Sequence, residues 1–437
     1  MRSDWPMWKI AMVLGAILCL SGRVFADGSM DNPENGKDSA RVSTSDKKNN
    51  PYVLFSAIDS LSFSRRFIHR LGLEFRPAYI FATNSFLRGE NIYGQPYRNS
   101  YSAHLKYSLQ FHPYTYADRI YGGAYQGIGL AYYSFGDRQY LGEPITFYLF
   151  QGARIARLSR SVSFNYEWNF GLSFGWKPYH YDTNPYNKVI GSRTNAYINT
   201  NFYLNWMLSP RWDLNTGITL THFSNGNTRL PNAGVNTVGW KLGLVYNFNR
   251  KEDYLHQPLY LPPIPAFPRH FSYDLVLFGS WRRKGFILEN SQIASPDAYV
   301  VAGFSFAAMY NLGYKFRLGL AVDGVYDGSA NVNTEDYIIG TTQSFSKPPF
   351  SKQLALGFSG RFEYIMPYFT VGIGMGTNVL HGGGDLKAFY QLLALKIEVT
   401  RNSFVHIGYN IQNFQTPNFL MLGIGYRFNN KYPLIHR

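Results

Sequence analysis

The chain has 437 residues, a formal charge of +15, 35 Tyr, 34 Phe and 41 Gly. That length allows two or more sizeable structural units, and aromatic and glycine richness without long apolar helices fits β-structure with a wet side and a greasy side. The Lys and Arg residues are scattered over loops and strand ends and form no block, which disfavours a nucleic-acid groove and favours the charged surface of a membrane.

Residues 1–26 read as a secretory signal. Arg2 and Lys9 supply positive charge, Ile10 to Leu20 an apolar core, and Val24-Phe25-Ala26 a small-residue cleavage pattern. Cys19 is the single cysteine and lies inside this segment, behind Leu18, in a poor lipoprotein context. The mature chain is therefore expected to hold no disulfide and no thiolate site. Beyond the signal no apolar run reaches the roughly 18 residues of a spanning helix. Residues 27–50 are polar and read as a periplasmic arm, with 27–70 as a whole the lead-in.

From about Leu71 side chains alternate with period two, the signature of strands. Val162, Phe164, Tyr166, Trp168, Phe170, Leu172, Phe174 and Trp176 alternate with polar residues and glycine. Tyr101 to Phe111 repeats the pattern. A soluble sandwich would also alternate, but with a buried row richer in Val and Ile. Long strands with one aromatic-rich face predict an all-β, transmembrane antiparallel β-barrel. Eight strands are expected over 71–250, starting near 71, 101, 121, 144, 161, 194, 211 and 236. Long and short connections alternate, as external loops and periplasmic turns do. With a periplasmic N-terminus, the loop after Ser224 points outward.

Residues 251–269 form a Pro-rich linker, including Pro262-Pro263-Ile264-Pro265 and Pro268, that cannot join a central strand. Eight more strands are expected over 270–437, starting near 270, 297, 314, 351, 368, 386, 403 and 418. The halves resemble distant duplicates. Matching Gly217 to Gly408 sets Asn413 against His222 and Gln415 against Ser224, so the second half lacks the His and Ser. Sixteen strands closing together would leave an aqueous lumen, whereas eight are filled by side chains. The linker favours two tandem eight-stranded barrels over one sixteen-stranded barrel.

The hairpin 212–248 carries the candidate chemistry. Leu214, Thr216, Ile218, Leu220, His222 and Ser224 share one face of its first arm, with His222 and Ser224 roughly 6–7 Å apart at Cβ. An imidazole so placed can take a serine proton. Asn236 lies on the same face of the return arm and could hold the imidazole tautomer. Asn225, Gly226 and Asn232 could donate to a developing oxyanion. His-x-Ser spacing alone is a weak signal, and a girdle histidine beside an Asn/Gly-rich turn is the more ordinary reading of it. His104, His112, His180, His270, His381 and His406 show no ligand spacing and read as wall or girdle residues, with no metal site. Gly382-Gly383-Gly384 reads as a flexible loop. Arg282, Arg283 and Lys284 read as charge at a strand end, solvated or in contact with lipid phosphates.

His-Phe-Ser-Asn-Gly-Asn at 222–227, followed by Pro-Asn-Ala-Gly-Val-Asn at 231–236, resembles the signature of the outer-membrane lipid A 3-O-deacylases, or acyloxyacyl hydrolases. The resemblance covers mainly 211–249, with the strands over 71–249 fitting the rest; the linker and second half lie outside it. It implies an eight-stranded barrel with a Ser-His-acid site on its lipid-facing surface at the outer leaflet. His222 would be the base and Ser224 the nucleophile, with Asn225, Gly226 and Asn232 in the oxyanion region. Asn236 departs from the family, where the best-known members have glutamate. The expected function is thus a serine esterase of the bacterial cell outer membrane that removes an acyl chain from lipid A of lipopolysaccharide. It needs no cofactor, and the chain's state as monomer or homodimer stays open. The alternative is a non-enzymatic barrel, structural or porin-like.

Overall fold

A computed structural model of the protein describes residues 67–113, 115–250, 263–288, 291–333, 345–412, 414 and 416–433. The expected signal, residues 27–66 of the lead-in and residues 251–262 of the linker lie outside them. The first eight strands are β1 (Phe67–Phe81), β2 (Asn99–Phe111), β3 (Tyr125–Ser134), β4 (Gly142–Arg157), β5 (Val162–Trp176), β6 (Thr194–Met207), β7 (Trp212–Ser224) and β8 (Val235–Asn247). The second eight are β9 (His270–Leu288), β10 (Ser291–Asn311), β11 (Phe316–Asp327), β12 (Leu354–Met366), β13 (Phe369–His381), β14 (Phe389–Glu398), β15 (Ser403–Gln412) and β16 (Thr416–Phe428). β1 begins at Phe67, four residues before the alternation becomes plain in sequence.

Each strand pairs antiparallel with the next, β8 returns to β1, and β16 returns to β9. The protein is therefore two closed eight-stranded barrels, and the sixteen-stranded alternative is excluded. Closure leaves neither sheet an open edge, which is what a strand-built membrane span requires.

Period-two alternation sorts the side chains between lipid and lumen. On β1, Leu71, Leu73 and Phe75 are exposed outward while Arg70, Glu74 and Arg76 are buried inward. The charged residues that face the lumen pair with one another. In the first barrel, Glu74 accepts from Lys106 at 2.9 Å, Lys241 at 2.7 Å and Arg76 Nε at 3.1 Å. Glu167 lies 3.5 Å from Lys241 and accepts from Tyr125 Oη at 2.8 Å. In the second, Asp274 meets Arg317 at 2.8 Å, Lys396 at 2.8 Å and Arg427 at 3.0 Å. Lys396 also reaches Glu363 at 2.7 Å. Buried charge of this kind persists only when paired. Tyr125, Tyr133, Tyr148, Phe150, Tyr197 and Phe223 pack around the first network, and Phe278, Tyr390, Phe404, Phe419 and Met421 line the second lumen. Among the described residues, side chains fill both lumens, as eight strands predict.

Two short helices were not legible in the sequence. α1 (Ser85–Arg88) is capped by the Asn84 side chain, which accepts from Phe86 N–H, and ends at Gly89 with φ 117°. α2 (Tyr116–Tyr121) is capped by Thr115 and ends at Gly122 with φ 67°. It occupies the β2–β3 connection, so β3 starts at Tyr125 and not near 121. At four and six residues, both are too short to show a helical period.

Candidate active site on the outer wall of the first barrel

Phe223 decides which way its neighbours point. Its ring is fully buried in the lumen, 5.0 Å from the rings of Tyr133 and Trp176 and 5.4 Å from that of Tyr197. With Thr221 also buried inward, alternation turns His222 and Ser224 out of the wall. Both are half-buried. They stand at the C-terminal end of β7, where the chain leaves the sheet for the loop to β8.

Cross-strand register supplies the partner. His222 pairs with Asn236 of β8 on one side and with Ile198 of β6 on the other. Ser224 pairs with Ala196. His222 Nδ1 lies 2.6 Å from Asn236 Oδ1. A carboxamide oxygen can only accept, so Nδ1 carries the proton and Nε2 keeps its lone pair. That is the tautomer of a general base.

No hydrogen bond joins Ser224 to His222 among the described residues. Their convergence is seen instead at Gly234, in the return of the external loop. A β-carbon there would lie 3.0 Å from His222 Cε1 and 3.6 Å from Ser224 Cβ, and Gly234 has φ 71°. Only glycine satisfies both the backbone and the space. Gly234 is the site residue that sequence reasoning passed over. Its position, two residues before Asn236, was the available signal.

The expected oxyanion residues sit in the loop between β7 and β8. The Asn225 amide is committed to that loop: Nδ2 donates to Ser192 Oγ at 3.1 Å and to the Arg229 carbonyl at 2.8 Å. Asn232 Oδ1 accepts from the Asn225 backbone N–H at 3.1 Å, and its Nδ2 donates to Asn227 Oδ1 at 3.2 Å. Asn232 thus spends one of its two amide hydrogens. Gly226 adopts φ 62° and directs the chain around the turn. Asn225 thus ties this loop to the loop before β6 through Ser192.

In the second barrel β15 ends at Gln412, and Asn413 and Gln415, the residues matched to His222 and Ser224, lie outside the described residues. Arg282, Arg283 and Lys284 sit inside β9 and not at a strand end. They are held by Asp327 and Asn418, by the Ser295 carbonyl at 2.7 Å, and by Asp385 respectively. Of the other histidines, His104 is a lumen residue bonded to Tyr148 at 2.9 Å and to Ser102 at 3.0 Å. His406 is buried in the second lumen.

With this geometry in hand, comparison with known proteins is specific. The family model described as lipid A 3-O-deacylase (PagL) matches residues 101–245, and the model described as acyloxyacyl hydrolase, C-terminal domain, matches residues 271–430. The second match extends the likeness to the half that the 222–236 motif could not reach. No curated protein matches the chain. Among solved structures, Neisserial surface protein A is 9% identical, covering 42% of this chain and 96% of that one with a TM-score of 0.26. The Acinetobacter baumannii outer membrane protein Omp33 is 10% identical, covering 83% of this chain and 100% of that one with a TM-score of 0.16. At such scores the assignment rests on the family models, which together span well over half of the sequence. The chain belongs to the lipid A 3-O-deacylase family of the bacterial outer membrane.

Proposed function

We propose that the protein hydrolyses an ester-linked acyl chain of lipid A, with Ser224 as nucleophile and His222 as base. The observation that carries this reading is the 2.6 Å contact from His222 Nδ1 to Asn236, which leaves Nε2 basic on the same outward face as Ser224. Nε2 takes the Ser224 proton as Oγ attacks the ester carbonyl carbon. The tetrahedral oxyanion is met by the backbone N–H of Gly226 and the unspent amide hydrogen of Asn232. Collapse breaks the ester C–O bond, and the sugar-side or acyl-side alcohol leaves with the proton from His222. Water, deprotonated by the same nitrogen, then clears the acyl-serine and restores the enzyme.

The position explains the substrate class. A pair on the outer wall at the external strand end meets a glycolipid that diffuses laterally in the outer leaflet. Each barrel's lumen is filled by its own ion pairs and aromatics, so the substrate has no reason to enter it.

The test is mass spectrometry of lipid A from cells expressing the wild type or Ser224→Ala. Loss of one acyl mass with the wild type, and none with the variant, is expected. Removing a nucleophile of this kind typically costs on the order of 10⁴-fold or more in rate. Identical lipid A spectra, with both proteins showing the heat-dependent gel mobility of a folded barrel, would overturn the reading in favour of a structural barrel.

A further inference from the structure

The outward face of the first barrel is not uniformly open to lipid. On β1, β4 and β8 it exposes large apolar side chains: Leu73 is 60% exposed, Phe147 58% and Trp240 69%. On β5 the outward Tyr166 is only 6% exposed. The cover is the second barrel. Tyr166 Oη lies 3.5 Å from Tyr364 Oη and 3.5 Å from Met366 Sδ, and the Trp168 ring stands edge-on to Phe369 with centroids 5.0 Å apart. Tyr364, Met366 and Phe369 flank the tight β12–β13 turn, and Tyr166 follows the tight β4–β5 turn, so this contact lies at the tight-turn ends of both barrels.

A second contact lies at the opposite end, beside the candidate site. A β-carbon on Gly226, two residues after Ser224, would meet Tyr409 Cε2 at 3.5 Å and Leu420 Cβ at 3.9 Å. Tyr409 and Leu420 are cross-strand partners on β15 and β16. They point outward because their neighbours Asn410, Phe419 and Met421 are turned into the lumen. On the β6–β7 wall, Ile198 beside His222 and Ile218 four residues before it keep 44% and 43% exposure. The barrels thus touch low and high, and both isoleucines stay exposed on the wall of the first barrel.

We infer that the second barrel forms the far wall of the acyl-chain site, with Tyr409 and Leu420 determining which chain lengths reach Ser224. This rests on the deacylase reading of Ser224. An acyl chain whose carbonyl lies at Ser224 runs between the barrels past Ile198 and Ile218, and the aromatic face of Tyr409 limits the width left to it at the mouth. The second half therefore selects substrate without owning a nucleophile. Apolar pockets discriminate between neighbouring chain lengths by about tenfold to a few hundredfold.

The experiment uses the purified full chain in detergent micelles with lipid A preparations bearing short, medium and long ester-linked chains, and reads the fatty acids released. Tyr409→Ala and Leu420→Ala should shift the ratio of long to short chains released upward by about tenfold, and Tyr409→Trp should shift it downward. A structural role alone would lower all chain lengths together. Ser224→Ala is run alongside. Continued release by Ser224→Ala overturns the deacylase reading; a dead Ser224→Ala with unchanged chain ratios in all three wall variants overturns the present inference alone. A Trp168→Cys/Phe369→Cys pair gives an activity-free check, because Cys19 in the expected signal is the sole native cysteine. Efficient intramolecular coupling by a short bis-maleimide is expected in outer membranes, and failure to couple would also overturn the inference.

Discussion

In the first barrel two buried carboxylates, Glu74 and Glu167, sit among Arg76, Lys106 and Lys241; in the second, Asp274 and Glu363 sit among Arg317, Lys396 and Arg427. The first and last strands supply an acid and a base in both barrels and the middle strands differ, yet each network joins two acids to three bases. The seventh strands diverge instead. Aligned at Gly217 and Gly408, the places of His222 and Ser224 on β7 are taken by Asn413 and Gln415 in the second half. The interior network is what any filled barrel of this size needs, and it carries no information about chemistry. The proposed site is confined to the end of one strand, and the second barrel closes without its His and Ser.

The strongest way to break that comparison is to neutralise a lumen acid in each barrel. Asp274 is 1% exposed and holds three cations, so Asp274→Asn leaves them without their shared partner. Removing one member of a buried ion cluster typically costs about 3–5 kcal/mol. Glu74→Gln should cost a similar amount in the first barrel. Urea unfolding in micelles, followed by circular dichroism, should show each variant lowering one of two transitions. A single shared transition lowered equally by either variant would mean that the barrels do not unfold as separate units.

How much of this was legible beforehand depends on what period-two alternation reports. It separates inward from outward, so the sixteen strands and the lumen positions of Glu74, Arg76, Lys106 and Glu167 could be read directly. It also placed His222, Ser224 and Asn236 on one face, and register then brought His222 and Asn236 together. Alternation cannot say what lies outside the wall. Tyr166 and Trp168 belong to the same aromatic row as Phe174, yet the first two meet the second barrel and Phe174 is exposed. The amide of Asn225 was legible as a donor but not as one spent on Ser192, because that partner comes from a loop thirty-three residues away. Likewise Arg282, Arg283 and Lys284 look like loose charge until β9 is seen to continue past them.

A milder perturbation tests whether the site depends on its loop as much as on its strand. Gly234→Ala imposes a left-handed backbone on an L-residue, at about 1–2 kcal/mol, and pushes a methyl to 3.0 Å from His222 Cε1. Stability should fall by roughly that amount and deacylation by more than the stability loss explains, since the imidazole must move. If Gly234→Ala unfolds more easily yet deacylates at the wild-type rate per folded molecule, the loop does not position His222.

The smallest expected effect sharpens the comparison most, because it asks what the first barrel gained and what it left incomplete. Asn236 accepts from His222 Nδ1 and so sets the tautomer, but a neutral amide adds no charge opposite the imidazolium that the proposed mechanism forms as Ser224 gives up its proton. A carboxylate at that position would do both, and charge-assisted hydrogen bonds are about twice as strong as neutral ones. An extra ~1 kcal/mol in the transition state corresponds to about a fivefold gain in rate. Asn236→Glu reaches one methylene further than the native side chain. Asn236→Asp keeps the native length, so the pair separates charge from reach. A fivefold increase in lipid A deacylation with either variant would show that the neutral partner limits turnover. A decrease with both would mean that burying an extra charge between β7 and β8 outweighs its benefit, and that the amide is the partner this wall can hold.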